Sequence, residues 1–347
     1  MQKALSSHSN LEYLPLIVIP DNEDFCKLSK EVASNNGFHS QLLRLETFNR
    51  VIEYLSKIEN RNIPQEIRKS LEEALRSLII NICGGIYVEF LIQKSVAKGK
   101  ISGSLTWILA SPADKSGQSM YVGLDISTKR GVAGAAFILL DPYGQLINAR
   151  IIQLKSEVLK YQDYYDILRY MVSKAREQKL KRIVILRDGI PRTPLELKDC
   201  SKAYDKVTKE LGYKVTLDYI AIIKNTNVRV FAGNKRTKTN PIQGTYIYLY
   251  KLKHLSYYIH EILVVASKPE ESEEEKGGTA RPVILRIYEL GKTYSMDEAK
   301  KIAEEYLALT RLNYWNLRTG ASRLALPVGM ADKLSYMLSM RIPIRVR

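Results

Sequence analysis

Long apolar runs are missing from this 347-residue sequence. The strongest near the N-terminus, in "LEYLPLIVIP", covers only about seven residues, too few for a signal peptide's apolar segment or a membrane span. No other run reaches transmembrane length, so the expectation is an intracellular, cytoplasmic chain with no membrane insertion. Cysteine is scarce as well. Cys26, Cys83 and Cys200 are odd in number and far apart, which excludes a disulfide framework and a cysteine-built metal centre. The histidines, His8, His39, His254 and His260, show no ligand spacing, and no internal repeat is visible. Acid is also in deficit: 53 Lys+Arg against 37 Asp+Glu leave a formal charge of +16. A charge of that sign and size points to a polyanionic partner, most simply nucleic acid.

What is present reads as two α/β domains, and the 45% hydrophobic content lets each bury a core. "LPLIVIP" (Leu14–Pro20) reads as a buried strand. "DNEDFCKLSKEVASNNG" follows as a helix, capped at Asp21 or Asn22 and stopped by Gly37. Ser40–Leu45 reads as a second strand, and such a β-α-β start suits an open α/β sheet. Pro64 opens a long helical pattern running to about Lys98, interrupted at Gly84-Gly85 by a kink or a close helix approach. "SLTWILA" (Ser104–Ala110) reads as a strand. The polar "SPADKSGQS" (Ser111–Ser119) reads as a linker, which places a first domain at 1–118 and a second at 119–347.

The second domain opens with three hairpin-linked strands: "MYVGLDIS", "AGAAFILLD" and "QLINARIIQL". The helix "YQDYYDILRYMVSKAREQKL" and a fourth strand, "RIVILRDG", come next. A right-handed crossover through that helix sets the fourth strand parallel to and beside the first. Asp125 interrupts the first strand and Asp188 ends the fourth, so the two carboxylates meet. Like charges that close are unfavourable unless a cation bridges them, and hard oxygen ligands suit Mg²⁺ or Mn²⁺. A pair of such ions is the usual device for in-line phosphodiester displacement. This strand order with these acids is the ribonuclease H pattern. Further on, "VTLDYIAIIK" and "GTYIYLYKL" read as strands, and Ser295 with Glu298 forms a capping box for a helix to about Leu309. A last helix covers roughly "MADKLSYMLSM". "GNKRTKTNP" and the acidic "SKPEESEEEKGG" read as loops.

Four segments, "YVGLDIS", "IVILRDG", "IAIIKNTNVRVF" and "LTRLNYWN…LALPVGMADKLSYM", resemble in order the PIWI domain of Argonaute proteins. The upstream half resembles the Rossmann-like MID domain that precedes it. Nothing before residue 10 leaves room for N and PAZ domains, so the likeness is to a short prokaryotic type. The resemblance implies a catalytic set of Asp125, Asp188, Asp332 near the start of the last helix, and a Glu on a loop after the third strand. Glu157 fits that last place better than Asp163 or Asp166. Asp125, Asp188 and Asp332 would then hold the metal.

For the guide's 5′ phosphate, the family pattern is an aromatic, a Lys four residues on, a Gln about eleven further, and a Lys from a later helix. Lys30 and Gln41 match; Lys94 is the last member, with Lys98 its alternative. Cys26 fills the aromatic place and cannot stack on a base as a ring does. Relatives bring the chain's C-terminal carboxylate to the same phosphate; here the tail ends on Arg347. Lys224, Asn225, Arg229 and Arg311 are candidates for contacts to the nucleic-acid backbone, which position a strand without reading it. The resemblance implies a defence protein that holds a short guide RNA or DNA, pairs it with a complementary target, and signals through a partner effector. An autonomous guided endonuclease is the alternative, and a ribonuclease H-like transposase or resolvase a remote one. Trp315 and Tyr314 are expected in the core.

Overall fold

A computed structural model describes residues 16–19, 41–60, 62–98, 108–129, 132–233, 238–254, 257–267, 279–314 and 321–339. The N-terminal half opens with β1 (Leu16–Ile19) and β2 (Gln41–Arg44), which pair in parallel, Leu16 beside Gln41. The expected helix between them lies outside the described residues. Two helices follow, α1 (Leu45–Glu59) and α2 (Gln65–Lys98). Pro64 stands just ahead of α2, where a missing N–H costs nothing. The helix runs through Gly84-Gly85 without a break, so the expected interruption does not occur; glycine lowers helix propensity by only about 1 kcal/mol. Ile108–Ala110 are not strand. Leu109 N–H instead bonds the Tyr143 carbonyl at 2.9 Å, and the rest of "SLTWILA" lies outside the described residues.

The second half is built on one eight-stranded sheet of order β10-β11-β12-β7-β6-β3-β4-β5. β3 (Ser119–Lys129), β4 (Val132–Leu140) and β5 (Leu146–Leu154) form an antiparallel meander. Its Asp141 turn is closed by Gly144 at φ +84°. Helix α3 (Tyr161–Glu177) crosses over to β6 (Arg182–Asp188), which pairs in parallel with β3. Helix α4 (Pro194–Leu211) returns the chain to β7 (Thr216–Ile223), again parallel. β10 (Thr245–His254), β11 (Tyr257–Val265) and β12 (Val283–Tyr288) complete the sheet antiparallel. A two-residue hairpin, β8 (Ala232–Gly233) with β9 (Lys238–Thr239), lies within the expected basic loop; residues 268–278, the acidic loop, lie outside the description. Helices α5 (Met296–Thr310) and α6 (Leu326–Ser339) follow. The capping box forms as expected, Glu298 N–H to Ser295 Oγ at 3.2 Å and Ser295 N–H to Glu298 Oε2 at 2.9 Å.

Strand alternation sorts the core onto two faces. One face carries Tyr121, Val184, Leu186, Ile220 and Ile222 against α5 and α6. The other carries Val122, Leu124, Ile183, Ile185, Tyr219 and Ala221 against α3 and α4. Tyr314 is fully buried; Trp315 lies outside the described residues. This three-stranded antiparallel unit, crossover helix and parallel fourth strand make a ribonuclease H-like α/β fold.

Candidate metal centre

The site sits where β3 and β6 lie side by side. Their parallel register matches Gly123 with Leu186 and Leu124 with Arg187, so Asp125 and Asp188 are the next neighbours along the pair. The buried strand therefore ends on two consecutive charges that serve opposite faces. Arg187 goes toward α4, where its Nη1 donates to Glu196 Oε2 at 3.2 Å and to the Tyr219 hydroxyl at 3.1 Å. Asp188 falls on the α6 face with Val184 and Leu186.

Helix α6 closes the site from above. Gly123 and Asp125 share one strand face, and a Cβ on Gly123 would lie 2.0 Å from the Pro327 carbonyl oxygen. Only glycine allows the helix to come that close. Asp332 was expected near the start of the last helix. The helix begins at Leu326 instead, because Pro327 is tolerated in a first turn, so Asp332 lies mid-helix and is no dipole cap. Ser335, one turn on, donates its hydroxyl to Asp125 Oδ2.

One carboxylate oxygen from each of Asp125, Asp188 and Asp332 lies within 4.8 Å of the others. The Asp188 side chain is 7% exposed and that of Asp332 50%. Burial raises the Asp188 carboxyl, against the Lys224 ion pair and with the help of Asp125 and Asp332, to about 6. Burial also lifts Asp125, partly offset by the Ser335 hydrogen bond and reinforced by Asp332. Three oxygen donors this close, two of them held above the usual carboxylate range, fit a hard divalent cation.

The remaining site residues divide. Glu157 stands on the loop between β5 and α3, as expected, but its carboxylate pairs with Arg192 at 3.1 Å and does not join the other three acids. Lys224, a candidate for the nucleic-acid backbone, bonds Asp332 Oδ1 at 3.1 Å and also Asp188 Oδ2. Burial disfavours its charge, but these two acids outweigh that and raise its pKa. Asn225, Arg229 and Arg311 are exposed, and Arg229 donates to the Thr226 and Val228 carbonyls at 3.3 and 3.2 Å. Gln41 is the first residue of β2, and Lys94 and Lys98 fall in the last turns of α2. Lys30, Arg347 and Cys26 lie outside the described residues. Ser335 was not singled out from the sequence; its spacing of three from Asp332, one helical turn, was the available signal.

A second set of buried acids marks the contrast. At the opposite end of β6, Arg182 bonds Asp218 Oδ2 at 2.5 Å and both Glu305 oxygens at 2.8 Å. Lys292 lies 3.6 Å from Asp218, and Tyr121 and Tyr294 donate to this pair of acids. Those acids each have several cationic or hydroxyl donors, whereas in the first cluster Lys224 is shared between Asp188 and Asp332, and Asp125 accepts from Ser335. Among the described residues no helix is long and apolar enough to cross a membrane.

The chain is 25% identical over 268 residues to Protein argonaute-3 of Drosophila melanogaster, covering 74% of this chain and 28% of that protein. Marinitoga piezophila Argonaute in complex with a 5′-OH guide RNA aligns with a TM-score of 0.44 at 15% identity, over 95% of this chain and 54% of that one. Endonuclease V of Bacillus subtilis aligns with a TM-score of 0.34 at 16% identity, over 72% and 90%. This chain thus spans 28% of the length of the curated relative and 54% of that Argonaute. The Piwi domain matches residues 43–341, a stretch that holds all three acids and Lys224. With most of its length inside that match, the chain belongs to the Piwi-domain family.

Proposed function

We propose that this protein is a guide-directed nucleic-acid-binding protein with two domains, a MID-like one over 1–118 and a PIWI-like one over 119–347. The first anchors the 5′ phosphate of a short guide RNA or DNA through Lys30, Gln41, Lys94 or Lys98, and the C-terminal Arg347. The second carries the guide paired with a complementary invading strand, along Lys224, Asn225, Arg229 and Arg311, and relays pairing to a separate effector protein in the cytoplasm. Membership of the Piwi-domain family over residues 43–341 carries this reading, and the +16 charge agrees with it. Base pairing with the guide, rather than protein contacts, then reads the target sequence.

The test is a binding titration with a short labelled strand bearing either a 5′ phosphate or a 5′ hydroxyl. The phosphorylated strand binds more tightly, and Lys30→Ala with Gln41→Ala removes the preference. Retention of the preference by the double variant would refute the anchor.

The convergence of Asp125, Asp188 and Asp332 favours a second reading, an autonomous guide-directed endonuclease. When bound, Mg²⁺ or Mn²⁺ supplies water activation and leaving-oxygen stabilisation for in-line phosphodiester displacement. Asp125 would hold the cation from within β3, Asp188 from the end of β6, and Asp332 from α6. Glu157 has to leave Arg192 to contribute a fourth carboxylate. Cutting of a complementary labelled target in Mn²⁺, lost in Asp188→Ala, supports the nuclease; tight binding without cutting supports the binding protein alone.

A further inference from the structure

Lys224 is the first residue past β7, and strand pairing decides where its side chain goes. Asp188 is level with Ile222 on β7, and two residues on, Lys224 returns to that same face. Its ammonium reaches Asp332 Oδ1 at 3.1 Å and Asp188 Oδ2. The main chain there is fixed, because the Arg323 guanidinium donates to the Lys224 carbonyl and, at 3.2 Å, to that of Pro282. The side chain is 30% exposed and has a path to solvent.

The ammonium thus uses two of the three carboxylates that a divalent cation needs. A divalent ion draws carboxylate oxygens in to about 2.0–2.6 Å, which would set its charge close beside the ammonium, so the two cations compete for the cluster. We propose that Lys224 is the resident counter-ion of the acid cluster: it must leave Asp188 and Asp332 for a divalent cation to bind, and once displaced it is free to pair with a phosphate of the bound strand. This rests on reading the cluster as a cation site. Lys224 is a positioning residue here. In the free protein it holds like charges together, and it sets a threshold for cation binding. Because a strand phosphate gives the displaced ammonium a new partner, cation and strand bind with positive coupling.

The experiment is Mn²⁺ binding to the full chain, followed by electron paramagnetic resonance of the free ion, for wild type, Lys224→Met and Asp188→Asn. Lys224→Met should bind Mn²⁺ at least tenfold more tightly than wild type, and Asp188→Asn should lose the site. If Lys224→Met binds no more tightly while Asp188→Asn still abolishes binding, the lysine proposal fails and the cation site stands. If no Mn²⁺ binding depends on Asp188 in any form, both fail. A second measurement needs no variant. Acetylation of Lys224 in the wild-type protein, read by mass spectrometry, should speed up severalfold when saturating Mn²⁺ is added. An unchanged rate overturns the displacement.

Discussion

Replacing Asp188 by asparagine should stabilise the metal-free protein at neutral pH. The Asp188 carboxyl is raised from 3.8 to about 6, chiefly by burial. A shift of about 2 units corresponds to about 3 kcal/mol of preference for the protonated form. Because the folded-state value lies above the unfolded one, this stability is present in full below pH 3.8 and is lost as pH rises through about 6. At pH 7.5 the ionised carboxylate therefore costs the fold about 3 kcal/mol, and asparagine, shaped like the neutral acid, removes that cost. The change also leaves Lys224 with Asp332 alone, so a net gain of about 1–3 kcal/mol is expected. Urea unfolding of wild type and Asp188→Asn, in EDTA, checks this at pH 7.5, 6 and 4.5. The variant should be the more stable at pH 7.5, and its advantage should shrink towards zero at pH 4.5. An Asp188→Asn protein destabilised equally at all three pH values would refute the argument that burial raises this acid.

Gly123→Ala sets a Cβ against the Pro327 carbonyl and should push α6 off β3, costing about 1–3 kcal/mol in urea unfolding and weakening Mn²⁺ binding. A variant as stable as wild type would show that the helix does not need that approach. Glu196 is fully buried, pairs with Arg187 at 3.2 Å, and accepts the Leu159 N–H at 2.9 Å and the Arg192 N–H. Glu196→Ala leaves Arg187 buried without its carboxylate, so a loss of about 3–5 kcal/mol is expected on chemical unfolding; a loss under 1 kcal/mol would contradict the pairing.

Much of the site was legible because the physics that builds it is local. Asp125 and Asp188 follow from strand order and the handedness of the crossover: Asp188 ends β6, and Asp125 lies beside it within β3, which runs on to Lys129. Their opposite neighbours follow from alternation, which sends Arg187 to one face and Asp188 to the other. Helix α4 was not read, although Thr193-Pro194 opens it and Gly212, at φ +58°, ends it. β11 and β12 went unread for a deeper reason: their antiparallel places between β10 and β7 depend on partners distant in sequence. The start of α6 was set too late, because Pro327 and Gly329 look like breakers until the helix is seen packed on Gly123. Lys224 read only as a contact to the nucleic-acid backbone, since a strand-end lysine carries no sign of the acids that will face it. The resemblance that suggested Glu157 put it on the loop between β5 and α3, where it lies, but could not show Arg192 beside its carboxylate.

The central claim is that Asp125 within β3, Asp188 at the end of β6 and Asp332 on α6 form a divalent-cation site. Crystals of the full chain soaked in Mn²⁺ and measured at the manganese absorption edge test it most directly. An anomalous peak at about 2.0–2.3 Å from oxygens of these aspartates is the predicted result. A fully ordered site with no peak, or with the three carboxylates apart, would contradict it.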